Sequence, residues 1–253
     1  MEYLFGKSGL KRIRCLCSSK TLFAFDFDGT LSKISFRPSG ARIADKTQRL
    51  LSRLSEIAPL AIISGRNSAD LKPHLNFKPQ YLISNHGIGG MEWEKSLGKP
   101  AKQTCRSWKK QIQKFLEEKN MPGVELEDNL FTLAVHYRHA RSKRKAKMAI
   151  LERVLGLSPP PHIVTGKSVI NIVPEGLPHK GDAFRKLLWL SRAKSAVYIG
   201  DDDTDENIFS LSLPCVLTAR IGYKKNSCAH FFLYRQSEVN KLLQIIIDTI
   251  CRQ

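Results

Sequence analysis

Short apolar runs, each broken by residues with turn chemistry, mark out most of this chain. Residues 21–27 (TLFAFDF) are apolar and aromatic and run straight into Asp-Gly-Thr. They read as a buried strand ending in a turn. Residues 60–63 are a second short strand, closed by Ser-Gly-Arg. Residues 81–84 are a third, closed by Asn-His-Gly, and residues 196–199 a fourth, closed by Gly-Asp-Asp-Asp. Between them, leucines at 50, 51 and 54 share one face of a helix over 45–57, and residues 182–190 also read as helical. Continuous apolar strands alternating with helices predict an α/β fold whose parallel sheet is covered on both faces.

The middle of the chain has a different rhythm. Residues 105–119 read as an amphipathic helix, 130–137 as an alternating strand and 142–155 as another helix. Residues 162–165 and 168–173 read as two strands joined by a Gly166-Lys167 turn. This set of about 80 residues is large enough for a small α+β domain. It is expected as an insertion, residues 94–175, between the two halves of a core formed by 20–93 and 176–253. Residues 1–19 are set apart as an N-terminal extension, and the Pro159-Pro160-Pro161 run as a rigid turn.

Composition changes this picture little. With 253 residues, 42% hydrophobic and 25% charged, the chain can bury a sizeable core. No apolar run approaches membrane-spanning length, and the first twenty residues lack a secretory pattern. The six cysteines make no CxxC pair, so reduced thiols and a cytoplasmic location are expected, with no membrane partner and a monomeric chain. The net charge of +18 does stand out. Its densest run, residues 138–147 (RHARSKRKAK), reads as a solvated helix face, with a phosphate-binding patch as the alternative.

The candidate chemistry falls just past the predicted strands, where open parallel sheets bind ligands. Asp26 and Asp28 start on one side of their strand, two residues apart. Two neighbouring acids repel unless they share a proton or a cation, and magnesium suits hard oxygen ligands. With the metal present, one carboxylate can attack phosphorus while the other serves the leaving alcohol and then water. Gly29 permits the tight turn that follows. Ser64, Gly65 and Arg66 suit a phosphate oxygen, although Ser64 would serve equally as a helix N-cap. Lys180 opens a helix, against the helix dipole, and a nearby anion would remove the conflict. It could neutralise both Asp26 and a transferring phosphoryl group, or be a surface lysine. Residues 200–206 (GDDDTDE) place five acids within six residues of a strongly basic chain. They suit a divalent cation, Asp201 and Asp202 among the candidate ligands, or a solvated acidic turn with Asp205 and Glu206 as first-turn acids.

DFDGT, SGR, KG and GDDDTDE, in that order, resemble the four motifs of the haloacid dehalogenase superfamily. Asn85-His86-Gly87, Leu126-Glu127-Asp128 leading into Ala134–Arg138, and Gly166–Ile170 leading to Pro174 make the chain similar to the trehalose-6-phosphate phosphatase family within it. The resemblance implies a Rossmann-like core with an inserted cap domain. It implies Asp26 as nucleophile and Asp28 as acid and base, with Mg2+ held by Asp26, the Asp28 carbonyl and Asp201. Ser64 and Lys180 would bind phosphate. Substrate contacts from Gly65, Arg66, Asn85, His86, Glu127 and Arg138 follow from the matched motifs. Gly89, Asn129, Asn171 and Val173 depart from the family pattern around the sugar, so the sugar stays open.

The expected reaction is two-step phosphoryl transfer from a sugar phosphate, trehalose 6-phosphate first. The rivals are a phosphatase of another glycosyl phosphate, a phosphomutase, a catalytically dead regulator and a nucleic-acid-binding protein on the same fold. Only the charge supports the last, and no recognition motif accompanies it.

Overall fold

The computed structural model describes residues 1–34, 40–166 and 168–253. The chain forms two compact units, Met1–Gly90 with His179–Gln253, and Met91–Pro178. The first unit contains β1 (Glu2–Tyr3), α1 (Lys7–Leu16), β2 (Thr21–Phe25), α2 (Asp45–Ile57), β3 (Leu60–Ile63), α3 (Ser68–Leu71) and β4 (Tyr81–Ile83). The second contains α4 (Glu94–Glu118), β5 (Glu125–Asp128), β6 (Leu133–His136), α5 (Lys143–Leu155), β7 (Pro161–Gly166) and β8 (Val169–Pro174). The first unit then resumes with α6 (Lys180–Leu190), β9 (Ser195–Gly200), α7 (Glu206–Phe209), β10 (Val216–Ile221), β11 (Phe231–Leu233) and α8 (Val239–Ile250).

The seven strands of the first unit lie in the order β1-β11-β10-β9-β2-β3-β4, and every neighbouring pair is parallel. This is the expected α/β core. Every residue of β2 and β3 is buried, which requires cover on both faces. On one face Phe23, Phe25, Ile62, Val197 and Leu217 pack with Ile13 of α1, Leu50, Leu51 and Leu54 of α2, and Leu242, Leu243, Ile246 and Ile247 of α8. Each fully buried leucine there contributes about 1.5–3 kcal/mol relative to exposure. On the other face the Phe184 ring of α6 meets Tyr198 of β9 edge-on at 5.6 Å.

Residues 1–19, set apart as an extension in the sequence, instead complete this sheet. β1 pairs with β11, and α1 buries Gly9 and Ile13. β1 is two residues long, and four of the ten residues of α1 are basic, so neither stands out as part of an apolar core.

The second unit is an antiparallel sheet, β5-β6-β8-β7. One of its faces packs Leu133, Val135, Ile170 and Ile172 against Cys105, Trp108 and Ile112 of α4 and Ala146, Ile150 and Val154 of α5. α4 begins eleven residues before the predicted helix and runs through Gly98 and Pro100. Phe131 packs over Gly98, and Ala101 is buried, so packing outweighs the breaker signal. The predicted 130–137 strand shortens to β6, because Leu130 takes a left-handed backbone (φ 74°) and donates its amide to Asp128 Oδ1 at 2.9 Å. The Gly166-Lys167 turn includes Lys167, which lies outside the described residues.

The basic run is a solvated face, as read: Arg141, Lys143, Arg144 and Lys145 are exposed. All six cysteines are free thiols. No described helix is long and apolar enough to cross a membrane.

Candidate active site

The strand order brings the predicted segments together at one edge of the sheet. β9, β2, β3 and β4 are consecutive neighbours, and their carboxyl ends carry Asp201, Asp26, Ser64 and Asn85 in turn. Asp26 leaves β2 with its amide bonded to Ile199 O of β9 at 2.9 Å. Gly29 then turns with φ +79°, and a Cβ there would collide with the Asp201 carboxylate. Gly29 therefore serves both the turn and the close approach of Asp201.

Lys180 is the hub. It is 2% exposed, and its Nζ donates to Asp26 Oδ1 at 2.8 Å and to Asp205 Oδ1 at 2.7 Å. Its placement follows from the α6 cap. His179 Nδ1 accepts from the amides of Gly181 and Asp182 at 3.1 and 3.3 Å, and Asp182 Oδ2 accepts from the His179 amide at 3.0 Å. This reciprocal capping fixes Lys180 at the first helical position. The conflict between a lysine and the helix dipole is resolved by two buried carboxylates. Burial acts to lower the Lys180 pKa, but Asp205 and Asp26 override it and raise it.

Asp205 was read in the sequence as a turn acid, yet it is the most deeply placed acid of its run, with no exposed surface. It accepts from Lys180, from the Tyr198 hydroxyl at 2.7 Å, and from the amides of Asp201 and Asp202 at 2.8 and 2.9 Å. Burial acts to raise its pKa, but Lys180 and these hydrogen bonds together hold it below the ordinary carboxylate value. Tyr198 was also missed. Its signal is a phenol inside the apolar run 196–199, since a buried hydroxyl needs a partner.

Asp26, Asp201 and Asp205 each offer a carboxylate oxygen, and these atoms lie within 4.8 Å of one another. Burial, opposed by Lys180, raises the Asp26 pKa well above its ordinary value. Burial together with Asp205 and Asp202 pushes Asp201 up to about 8. Asp201 Oδ1 is buried without a hydrogen-bond partner. Three carboxylates against one ammonium, with one oxygen unmet, fit a divalent cation. Asp202, expected as a ligand, is instead the N-cap of a 3-10 turn, its backbone carbonyl accepting from the Asp205 amide at 3.3 Å. The Asp28 carboxylate, expected as acid and base, points to another partner.

Arg66 holds it. Arg66 Nε and Nη2 donate to Asp28 Oδ2 and Oδ1 at 2.6 and 2.7 Å, and Nη1 donates to Asp70 Oδ2 at 2.7 Å. The guanidinium also stacks 5.3 Å from the Phe27 ring centroid. Expected as a phosphate contact, Arg66 thus orients Asp28, because a planar fork matches a carboxylate better than a single oxygen. Only the Asp28 backbone carbonyl, the atom the resemblance implies, is left for a cation.

Ser64 Oγ accepts from the Arg66 amide at 3.1 Å. The Asn85 and His86 amides bond Arg66 O and Ser64 O at 2.8 and 3.0 Å, tying the loops after β3 and β4 together. Both residues hold left-handed backbone, φ 51° and 57°, which costs about 1–3 kcal/mol each and recurs at ligand sites. Asn85 Oδ1 is buried without a partner. Gly65 has no side chain where the His86 ring lies. Glu127 and Arg138 belong to the second unit. There Glu127 Oε2 meets His136 Nε2 at 2.6 Å, and Glu127 pairs across the sheet with Ala134, itself opposite Asn171.

A profile of the trehalose-phosphatase family matches residues 24–230. Trehalose-phosphate phosphatase B of Arabidopsis thaliana is 29% identical over 246 residues, covering 88% of this chain and 65% of that protein. The trehalose-phosphate phosphatase of Mycobacterium tuberculosis H37Rv is 31% identical over 207 residues, covering 75% of this chain and 51% of that protein. The chain thus spans about half to two thirds of these relatives' length. A crystal structure of a trehalose-6-phosphate phosphatase related protein superposes with a TM-score of 0.74 at 22% identity, covering 90% of this chain and 97% of that one. The C-terminal domain of the Candida albicans trehalose-6-phosphate phosphatase gives 0.72 at 22%, covering 94% and 95%. At that identity these two establish the fold.

Proposed function

The chain belongs to the trehalose-phosphatase family, and from that premise we propose that it is a Mg2+-dependent phosphatase that hydrolyses a sugar phosphate, trehalose 6-phosphate first among them. The observation that carries this reading is Lys180 joining Asp26 and Asp205 at 2.8 and 2.7 Å beside Asp201. A cation between the three carboxylates would supply charge neutralisation to the carboxylates and to the phosphoryl oxygens.

Asp26 is the nucleophile. Its Oδ1 is held by Lys180, which leaves Oδ2 to attack phosphorus and form an aspartyl-phosphate. Lys180 offsets charge on the transferring group throughout. Asp28 donates a proton to the departing sugar oxygen and then takes one from the water that hydrolyses the acyl phosphate. Arg66 orients Asp28 in its carboxylate form, the form that takes the proton from water. The Ser64 hydroxyl is a candidate phosphate contact, and the partnerless Asn85 Oδ1 a candidate acceptor for a substrate hydroxyl. Glu127 and Arg138 are candidate sugar contacts on the strength of the matched family motifs alone.

The deciding assay is phosphate release from a panel of sugar phosphates, with and without Mg2+. Trehalose 6-phosphate is expected to give the highest kcat/KM. Equal turnover of every phosphomonoester, or none with Mg2+ present, would contradict the substrate assignment.

Proton and cation compete for the same carboxylates, which sets a pH dependence. Asp201 is raised to about 8 in the folded protein. The folded chain therefore binds more protons than the unfolded one above the ordinary carboxylate range. The Asp201 contribution to metal-free stability is complete below that range and is lost as pH rises through about 8. A cation that replaces the proton removes this loss. The rise in unfolding temperature on adding Mg2+ should accordingly be larger at pH 8 than at pH 5.5. Thermal melts at both values check it; an equal rise at both would place the cation away from Asp201.

A further inference from the structure

We propose that Arg220 is a positioning residue that fixes the loop bearing Asp201 and Asp205 in its cation-binding shape. This inference rests on the reading that Asp201 and Asp26, beside Asp205, hold a divalent cation.

Arg220 is on β10, directly opposite Gly200 of β9, and is 8% exposed. Its Nη1 donates to the carbonyl of Asp202 at 2.8 Å and to Glu206 Oε1 at 3.3 Å, and its Nη2 is 3.7 Å from Asp203 Oδ1. The same Asp202 residue donates its amide the other way, to Asp205 Oδ2 at 2.9 Å. One residue of the loop is thus held from inside by Asp205 and from outside by Arg220. Glu206 is itself anchored, because its Oε2 accepts from the Cys228 amide at 2.9 Å. Lys224 pairs with Asp203 on the same outer side.

The acids of this run therefore divide by direction. Asp201 and Asp205 face Asp26 and Lys180. Asp203 and Glu206 face Arg220. The inner carboxylates repel one another, and a loop free to relax would spread them and weaken the site. A nearly buried guanidinium resists this because its planar fork holds a carbonyl and two carboxylates at once. A lysine ammonium is a point charge and cannot span all three. Groups that orient ligands from behind commonly change metal affinity about 10–100-fold when removed.

The test uses the full chain and its Arg220→Gln, Arg220→Lys and Glu206→Gln variants. Two midpoints are read against Mg2+ concentration: the rise in unfolding temperature and the rise in phosphate release. Arg220→Gln is expected to raise both midpoints about tenfold or more, with KM for the sugar phosphate at saturating Mg2+ unchanged. Arg220→Lys and Glu206→Gln should shift both midpoints in the same direction by less. If Arg220→Gln does not fold, a raised midpoint in Arg220→Lys upholds the proposal and a wild-type midpoint overturns it. Variants that lower the unfolding temperature equally with and without Mg2+, at unchanged midpoints, overturn it as well, since that is what a purely structural arginine would give. A wild-type chain whose unfolding temperature ignores Mg2+ would instead refute the cation reading itself, and this proposal with it.

Discussion

Asp26→Asn should abolish turnover, with a fall of at least about 10⁴-fold in kcat, while leaving the protein folded. An amide of the same shape keeps a hydrogen-bond acceptor for Lys180 but cannot attack phosphorus. The stability consequence has a definite sign. Burial raises the Asp26 pKa well above its ordinary value, so the ionised carboxylate is disfavoured in the folded state and its cost grows as pH rises. Removing the charge should leave the metal-free unfolding temperature at pH 8 unchanged or higher. Asp205 still pairs with Lys180 in this variant. Phosphate release and thermal melts on one preparation check both halves. Residual turnover within tenfold of the parent would remove Asp26 from the role of nucleophile.

Lys180→Met should have the largest effect on stability. It keeps the length of the side chain and removes the ammonium bonded to Asp26 and Asp205. Breaking a buried pair by deleting one partner costs about 3–5 kcal/mol, since the remaining charge has nothing to offset it. The pH dependence follows from both partners. Lys180 is raised in the folded state, so its contribution is complete below the ordinary lysine value, across the working range. Asp205 is lowered, so its contribution is present above the ordinary carboxylate value and fades as pH falls below it. The deficit of Lys180→Met should therefore be large at pH 8 and shrink toward pH 5 as the unpaired acids take protons. Urea denaturation at the two pH values measures it. A pH-independent deficit would assign Lys180 to packing. Activity should fall about 10²–10³-fold even in the folded fraction, through lost charge stabilisation.

The core strands were legible because central parallel strands bury both faces and read as unbroken apolar runs. β2 and β3 match their predicted spans within two residues for that reason. One side of the sheet, β1-β11-β10, was not legible, although β4 at the opposite edge was read. β1 and β11 have two and three residues, too few for any period to register. β5 was passed over because Leu126 is its only apolar residue, the mark of an edge strand with one wet face.

The candidate site shows the same division. Asp26 and Lys180 were legible because each poses a local problem, an acid at the end of an apolar strand and a lysine at a helix start, which the other solves. The acidic run was legible as a cluster but not residue by residue. Asp202, Asp203, Asp205 and Glu206 look alike in sequence. Their roles as cap, outer tie, buried acceptor and outer tie depend on Tyr198 and Arg220, which come from two neighbouring strands. Arg66 beside a serine suggested phosphate, whereas Asp28 and Asp70 were nearer to hand.

The most direct test of the account is to trap the phosphorylated enzyme. The Asp28→Asn variant, which keeps the nucleophile but lacks the base for hydrolysis, is mixed with Mg2+ and trehalose 6-phosphate, quenched in acid and digested. Peptide mass spectrometry is expected to find one added phosphoryl group on Asp26. A phosphoryl group on any other residue, or full phosphate release with no covalent species at any quench time, would contradict the account.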